Sequence, residues 1–220
     1  MSLRSIIYRS GITYNLQNII EHRDLLRRMS PTLMRCYCRR VAKRQQRYVE
    51  HLRKKERIDV AFFRSSPSMW KADYLFRLLQ QDERYHPFIV LLPYTLFKNY
   101  DEQVNRDTLE LTRSFVEARG FEYHIPYDEK RRKWLDVKRT LHPDVVFFSN
   151  PYKDTYRKYY IYHYADRLTC NIPYAYTSLY MYKANYNLSL QNVMWAYFLE
   201  TEMHLGFAKQ HSLVRGDNCI

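Results

Sequence analysis

Short apolar runs alternate with helix-like segments along the chain from Ile58 onward. The apolar runs occupy residues 58–63, 88–92, 121–125, 145–148 and 170–176. Helical patterns occupy residues 70–81, 101–119, 129–140 and 155–167, and a last one spans about 188–210. Gly120 follows the second of these patterns, where a helix often ends. Because strands that alternate with helices form βαβ units, the pattern predicts an α/β domain with a doubly wound, Rossmann-like parallel sheet of about five strands.

The first 57 residues have a different pattern. Residues 6–29 contain no proline and place apolar side chains near helical spacing. Ser30 and Pro31 then interrupt this segment and offer an N-cap followed by proline at the first helical position. We therefore predict a second helix over residues 32–57. Its apolar stripe consists of Leu33, Tyr37, Val41, Tyr48 and Leu52.

Basic charge is concentrated in this leading segment. Residues 1–57 contain fifteen basic and four acidic side chains, which is +11 of the total net charge of +13. A basic amphipathic helix is typical of contact with a membrane surface or another anionic partner. The candidate contact residues are Arg35, Arg39, Arg40, Lys43, Arg44 and Arg47. The alternatives are a solvated helix that packs its stripe on its own domain, and a helix that contacts nucleic acid.

The predicted organisation is therefore a basic helical arm over residues 1–57 and a Rossmann-like domain over residues 58–220. The chain has only four glycines, and none stands near another in the spacing of a glycine-rich phosphate-binding loop. The sequence shows neither a signal peptide nor an apolar run of about 18 residues. We expect a cytoplasmic protein, peripheral on the inner face of the cell membrane, with its four cysteines as free thiols.

Candidate binding residues follow the predicted strands. Pro-Tyr pairs occur at 93–94, 126–127, 151–152 and 173–174, and proline marks where sheet pairing stops. Ligands of open α/β sheets bind beyond the carboxyl ends of the strands. The candidate substrate-binding residues are Ser65, Ser66, Trp70, Asn150, Tyr152, Tyr174 and Tyr176. The alternatives are tyrosines that pack at the rim, Ser68 as a helix cap, and Trp70 as a core residue.

The remaining titratable groups give few candidates for chemistry. Asp128, after the third predicted strand, is the candidate general base, and its alternative role is a turn or cap residue. His124, His163 and His204 lie within predicted elements, so we expect packed or surface histidines. We expect no metal site, because His204, His211 and the neighbouring glutamates match no metal-binding spacing.

Several segments share an order and spacing with a known transferase family. They are 58–63 (IDVAFF), Ser65-Ser66, 69–71 (MWK), 82–90 (DERYHPFIV), 143–152 (PDVVFFSNPY), 171–176 (NIPYAY), 192–195 (NVMW) and Glu200. In this respect residues 58–220 resemble the CDP-glycerol glycerophosphotransferase family, whose members build teichoic-acid-type polymers. The resemblance implies one half of a GT-B-like enzyme, the half that binds the acceptor.

The resemblance also implies what this chain lacks. The donor, CDP-linked or otherwise nucleotide-linked, would bind a second domain that is absent from this chain, so the chain alone is expected to be inactive and to need no cofactor. The family places a His-Gly pair after the fifth strand, whereas residues 172–176 here read IPYAY. This difference leaves a glycosyltransferase-like reaction in teichoic acid, capsule or lipopolysaccharide synthesis as a further expectation.

The expected partners are a membrane-linked or polyanionic acceptor, an anionic membrane surface and a separate donor-binding domain. Two alternatives come from other classes of protein. One is a non-catalytic interaction domain, and the other is a nucleic-acid-binding protein that uses the basic arm. Nucleic acid is the less favoured partner, because the tyrosines that could stack on bases lie mostly outside the arm.

Overall fold

The fold is built on one sheet of six parallel strands. A computed structural model describes residues 30–95, 102–149, 154–176 and 185–220, with the side chains of 102–104 left out. The strands are β1 (Ile58–Arg64), β2 (Tyr85–Leu91), β3 (Tyr123–His124), β6 (Val145–Phe148), β7 (Leu168–Asn171) and β8 (Ala196–Tyr197). A separate two-stranded hairpin contains β4 (Tyr127–Asp128) and β5 (Lys133–Trp134).

The strand order in the sheet is β3-β2-β1-β6-β7-β8. When the hairpin is left out, this is the 3-2-1-4-5-6 order of a doubly wound fold. The predicted parallel α/β sheet is therefore confirmed, with one strand more than expected. The additional strand, β8, pairs with β7 through Cys170 and Asn171.

Helices cover both faces of the sheet. They are α1 (Pro31–Leu52), α2 (Asp73–Gln81), α3 (Glu102–Glu117), α4 (Val137–Thr140), α5 (Ser189–Val193) and α6 (Glu202–His211). Side chains of β1 alternate between the two layers. Val60 and Phe62 pack in a cluster with Phe76 of α2, whereas Ala61 and Phe63 face the cluster that contains α1. None of the described helices is long and apolar enough to cross a membrane.

Helix α1 is a layer of this domain. Ser30 caps it as predicted, with its Oγ accepting from the Leu33 N–H at 3.3 Å. The buried stripe is Met34, Cys38, Val41, Gln45 and Leu52. Leu33 was expected in the stripe, but it is 55% exposed, because the stripe that meets the sheet begins one residue later. The apolar stripe of α1 thus packs on its own domain, which is one of the alternatives given for this helix. The helix predicted over residues 6–29 lies outside the described residues.

The helix prediction for residues 129–140 is wrong over most of its length. Residues 127–134 form the β4–β5 hairpin, and only the single turn α4 is helical. Arg132 has a φ of 48°, a left-handed conformation that closes the hairpin turn. The run EKRRK at 129–133 has no apolar stripe that could hold a helix against the sheet.

Two further segments that were predicted as single helices have other structures. Residues 157–159 and 161–164 are short 3-10 turns separated by extended Tyr160, which has a ψ of 157°. The predicted helix at 188–210 is divided into α5, β8 and α6. Trp195 N–H donates to the Thr169 carbonyl at 3.0 Å, so pairing with β7 replaces the helix there.

A network of ion pairs and hydrogen bonds joins α1 to the amino end of the sheet. Buried Asp144 accepts from Tyr48 Oη at 2.7 Å, from the Asp59 N–H at 2.9 Å and from Lys55 Nζ. Lys55 also pairs with Asp59 at 3.1 Å. His86 Nδ1 in turn lies 2.9 Å from Asp59. These contacts hold the segment after α1 in register with β1, β2 and β6.

Candidate functional site

The chain leaves β1 toward β2 on one side, and β6 pairs with β1 on the other. This reversal makes β1 and β6 the topological switch point, where doubly wound folds open a crevice at the carboxyl ends of the strands. Arg64 is the last residue of β1, and Ser65 follows it. Ser149 follows β6. These residues define the described part of the candidate site.

Arg64 is a buried cation at this crevice, with only 5% of its surface exposed. Its Nη1 donates to the Met69 carbonyl at 2.6 Å, and its Nε is buried without a hydrogen-bond partner among the residues that the structure describes. Within the described part of the chain no carboxylate forms an ion pair with it. Burial lowers the pKa of the Arg64 guanidinium to about 9, so the group is still charged at neutral pH. A charged group in this state is stabilised by any anion that reaches it.

Three serines follow β1. The hydroxyl of one forms a buried hydrogen bond, and the hydroxyls of the other two are more accessible. Ser65 Oγ is buried and donates to Asp154 Oδ2 at 3.0 Å, which ties the β1 loop to the segment after β6. Ser66 is half-buried, and its Oγ lies 2.9 Å from the Oγ of exposed Ser68. Ser68 is not a helix cap, because the 3-10 turn Pro67–Met69 contains it and α2 begins later, with Ala72 at its N-cap.

Trp70 is a core residue, which is the alternative given to its role in substrate binding. It is 9% exposed and packs against Phe62, Phe76 and Phe121. Its Nε1 donates to Asp73. The guanidinium of Arg64 lies over its ring at 4.7 Å from the centroid. Trp70 therefore supports the cation at the crevice, and its ring is not open to a ligand.

The two tyrosine candidates after β7 differ in their exposure, and one of them contacts α6. Tyr174 is half-buried, and Tyr176 is 58% exposed. The Tyr176 ring meets the ring of buried His204 edge-on, with the centroids 4.9 Å apart. Asn150 and Tyr152, the candidates after β6, lie outside the described residues.

Asp128 lies in the β4–β5 hairpin, and its Oδ1 accepts from the Arg131 N–H at 2.9 Å. That contact is the turn role given as its alternative. His204 packs in the core as expected, with Nδ1 3.0 Å from Thr201 Oγ1. His163 Nε2 lies 3.0 Å from both carboxylate oxygens of Asp136. Over the described ranges, no three His, Cys, Asp or Glu side chains come together in a way that could hold a metal ion.

Arg64 is not among the residues predicted from the sequence, although the sequence contains a signal for it. IDVAFFR is an apolar strand that ends in one cation, at the edge of the sheet where ligands bind. Burial of that cation depends on Met69 and Trp70, which follow in the next turn. The pattern of apolar positions alone does not show this arrangement.

The cations predicted to contact a membrane or another anion share one face of α1. Arg35, Arg39, Arg40, Lys43, Arg44 and Arg47 are all exposed. With about 3.6 residues per turn, they lie opposite the buried stripe. None of the six forms an ion pair with a described residue, and no acidic residue occurs from Pro31 to Val49. The face is therefore a strip of uncompensated positive charge about 18 Å long.

No protein-family model, no curated protein and no solved structure matches this chain.

Proposed function

We propose that residues 58–220 are the acceptor-side half of a GT-B-like transferase, and that the crevice beyond β1 and β6 binds a phosphorylated alcohol as acceptor. The observation that carries the proposal is Arg64, a buried guanidinium that pairs with no carboxylate of the described residues and lies at the switch point of a doubly wound sheet. A phosphate that reached Arg64 would supply the missing negative charge and an acceptor for its free Nε–H.

The neighbouring hydroxyls suit the rest of such a ligand. Ser66 and Ser68 lie on the turn after β1 and can each donate to, or accept from, an alcohol group. The buried hydrogen bond from Ser65 to Asp154 fixes the turn that carries them. The acceptor would then be held by one charge-assisted contact and two neutral contacts, which give it an orientation as well as affinity.

The proposed reaction is the one expected for the resembling family. An acceptor hydroxyl forms a bond to phosphorus, or to an anomeric carbon, of a nucleotide-linked donor, and the bond to the nucleotide breaks. The donor would be held by a separate domain. Among the described residues at the carboxyl edge no histidine is placed to take the hydroxyl proton, so the proposal assigns acceptor binding, and not the catalytic base, to this chain.

The basic face of α1 supports a membrane-linked acceptor. Its apolar stripe is buried against the sheet, so α1 cannot insert that stripe into a bilayer. Contact with an anionic membrane would instead be electrostatic, through the six exposed cations from Arg35 to Arg47. Such contact would bring the domain to the surface at which a lipid-linked acceptor resides.

Binding of glycerol 3-phosphate tests the proposal. We expect it to raise the melting temperature of the intact chain and of an Arg139→Gln control, in which another exposed arginine is removed. The shift should be clearly smaller in Arg64→Met than in the control, and glycerol without phosphate should give none. An equal shift in Arg64→Met would show that the phosphate binds elsewhere and would overturn the assignment of the crevice.

A further inference from the structure

A groove of about 620 Å³ lies between the first half of α1 and the two segments that flank β8. Arg35 and Arg39 line it from α1, one helical turn apart. Trp195 lines it just before β8, and Arg215 lines it from the turn after α6. Trp195 lies at the amino end of β8, whereas Arg64 lies at the carboxyl end of β1. The groove is therefore separate from the crevice at the switch point.

The charges that line the groove are unbalanced. Three guanidinium groups face one carboxylate, that of Asp217. Arg35, Arg39 and Arg215 form no ion pair with any residue in the described ranges. A guanidinium binds a phosphoryl group through two parallel N–H···O bonds, so three of them fit a ligand with more than one negative charge. The volume falls in the range of small-molecule sites.

Three of the four Asn and Gln side chains that line the groove are already engaged within the protein. Gln45 Nε2 donates to the Val193 carbonyl at 3.2 Å. Asn192 Oδ1 accepts from the Leu213 N–H at 2.9 Å. Asn218 Nδ2 donates to the Met194 carbonyl at 2.9 Å. These bonds shape the groove and leave the arginines, exposed Gln46 and the indole of 38%-exposed Trp195 as the groups that can meet a ligand.

Arg215 has a backbone conformation that ordinarily favours glycine. Its φ is 55°, and Gly216 follows with a φ of 72°. Ser212 holds this turn, accepting from the Arg215 N–H at 3.3 Å and, through Oγ, from the Gly216 N–H at 3.0 Å. A left-handed conformation costs a residue such as arginine about 1 kcal/mol, whereas asparagine adopts it more readily. An arginine in such a conformation, beside two further guanidinium groups, is a candidate for a binding role.

We propose that this groove is a second anion site, which binds a small phosphorylated ligand that carries at least two negative charges. Arg35, Arg39 and Arg215 hold the phosphoryl group, and the remainder of the ligand lies against Trp195. The phosphoryl group can belong to a soluble molecule or to the headgroup of a phospholipid. This proposal does not depend on the acceptor site.

Pyrophosphate is the probe, and the Arg64→Met chain is the starting protein, so that the crevice does not contribute. We expect pyrophosphate to bind in calorimetry and to change the fluorescence of Trp195, a change that is lost in Trp195→Phe. Arg215→Asn should weaken binding about tenfold. The same substitution should leave the melting temperature of the free protein unchanged or raise it, because it relieves the strained backbone. Arg57→Gln removes an exposed arginine outside the groove and should change neither quantity.

The outcomes separate the proposal from its alternatives. Absence of pyrophosphate binding, or equal affinity in Arg215→Asn, would overturn the proposal. If binding is confirmed, vesicles of phosphatidylcholine with phosphatidic acid are added as competitor, with phosphatidylcholine alone as control. The competition uses a chain in which Arg40, Lys43, Arg44 and Arg47 are glutamine, so that the exposed face of α1 does not itself bind the vesicles. Displacement of pyrophosphate by the anionic vesicles identifies a lipid headgroup as the source of the phosphoryl group. Retention of pyrophosphate identifies a soluble ligand.

Discussion

The guanidinium carbon of Arg64 lies 4.7 Å from the centroid of the Trp70 ring, at the end of the central strand. This contact stabilises the cation only in part, because its Nε is buried and finds no hydrogen-bond partner in the described ranges. Replacement of a buried, incompletely paired charge by an apolar side chain of similar volume is often stabilising. We expect Arg64→Met to raise the free energy of unfolding by about 1 kcal/mol, measured by urea denaturation.

The conservative change Arg64→Lys is the companion variant. Lysine keeps the charge but loses the planar contact with Trp70, so we expect lower stability than in Arg64→Met. A large loss of stability in Arg64→Met itself would show that the hydrogen bond to the Met69 carbonyl outweighs the cost of burying the charge. Arg64 would then be a structural residue.

Among the carboxylates of the network at the amino end of the sheet, Asp144 is the one whose substitution we expect to lower stability most. It is 4% exposed and accepts hydrogen bonds from Tyr48, Lys55 and the backbone of Asp59. Asp144→Asn removes the charge and turns an amide N–H₂ toward one of these donors. We expect a loss of about 3 kcal/mol in the free energy of unfolding.

Glu50→Gln is the control for Asp144→Asn. Glu50 forms only an exposed pair with Arg53, at 3.0 Å. Exposed pairs contribute little, so the change should lie within about 0.5 kcal/mol of the wild type. Similar losses in both variants would mean that burial does not distinguish the two carboxylates.

The same network predicts how stability depends on pH. Burial alone would raise the pKa of Asp59, but hydrogen bonds from His86 and Lys55 outweigh it and leave the pKa lowered. Burial alone would lower the pKa of Lys55, but its bonds to Asp144 and Asp59 leave the pKa raised. Asp59 contributes fully to the free energy of unfolding above its ordinary pKa, and this contribution is lost as the pH falls through the lowered pKa. The Lys55 contribution is complete below its ordinary pKa and is lost as the pH rises through the raised value.

We therefore expect the network to stabilise the fold fully from roughly pH 5 to pH 9, and to weaken on either side. Urea denaturation across the pH range measures this dependence. Asp59→Asn should make the fall in acid shallower than in the wild type. If the stability of that variant falls as steeply at low pH as that of the wild type, other carboxylates govern the fall.

The exposed cations of α1 predict electrostatic binding to anionic vesicles. Conversion of Arg40, Lys43, Arg44 and Arg47 to glutamine should weaken binding at least about a hundredfold, at about 1 kcal/mol for each cation near the surface. Binding of the wild type should fall steeply with added salt, because the apolar stripe of α1 is buried against the sheet and the contact is electrostatic. Co-sedimentation with vesicles is the measurement.

A control with the same change in net charge alters exposed cations elsewhere. Arg57, Lys71, Lys130 and Arg139 are exposed and form no ion pair with a described residue. Their conversion to glutamine should leave vesicle binding close to that of the wild type. Equal losses in both variants would mean that total charge, and not the α1 face, governs binding. Preference for duplex nucleic acid over vesicles would favour the nucleic-acid-binding alternative.

The central strands were predictable from the sequence because they are buried on both faces. β6 has the predicted limits, and β1 is one residue longer, since it ends in Arg64. A strand that is covered on both sides appears as an unbroken apolar run. The limits of the other strands were less accurate, because polar residues such as Thr169 and Asn171 are buried in β7.

The parts that the sequence did not predict depend on tertiary contacts. β8 has only two residues, and its pairing with β7 interrupts an otherwise helical pattern. Burial of Arg64 likewise depends on the turn at Met69 and on Trp70. The arrangement of Arg215 opposite α1 joins segments about 180 residues apart, which no local periodicity encodes.

The strand order has a consequence for how the chain folds during its synthesis. β1 pairs on one side with β2, which follows shortly, and on the other with β6, which begins 87 residues after β1 begins. Until Val145 has left the ribosome, one edge of an apolar strand therefore has no partner. A nascent chain that stops after α4 would present that edge to other chains. Molecular chaperones that bind extended apolar segments would meet this protein at β1.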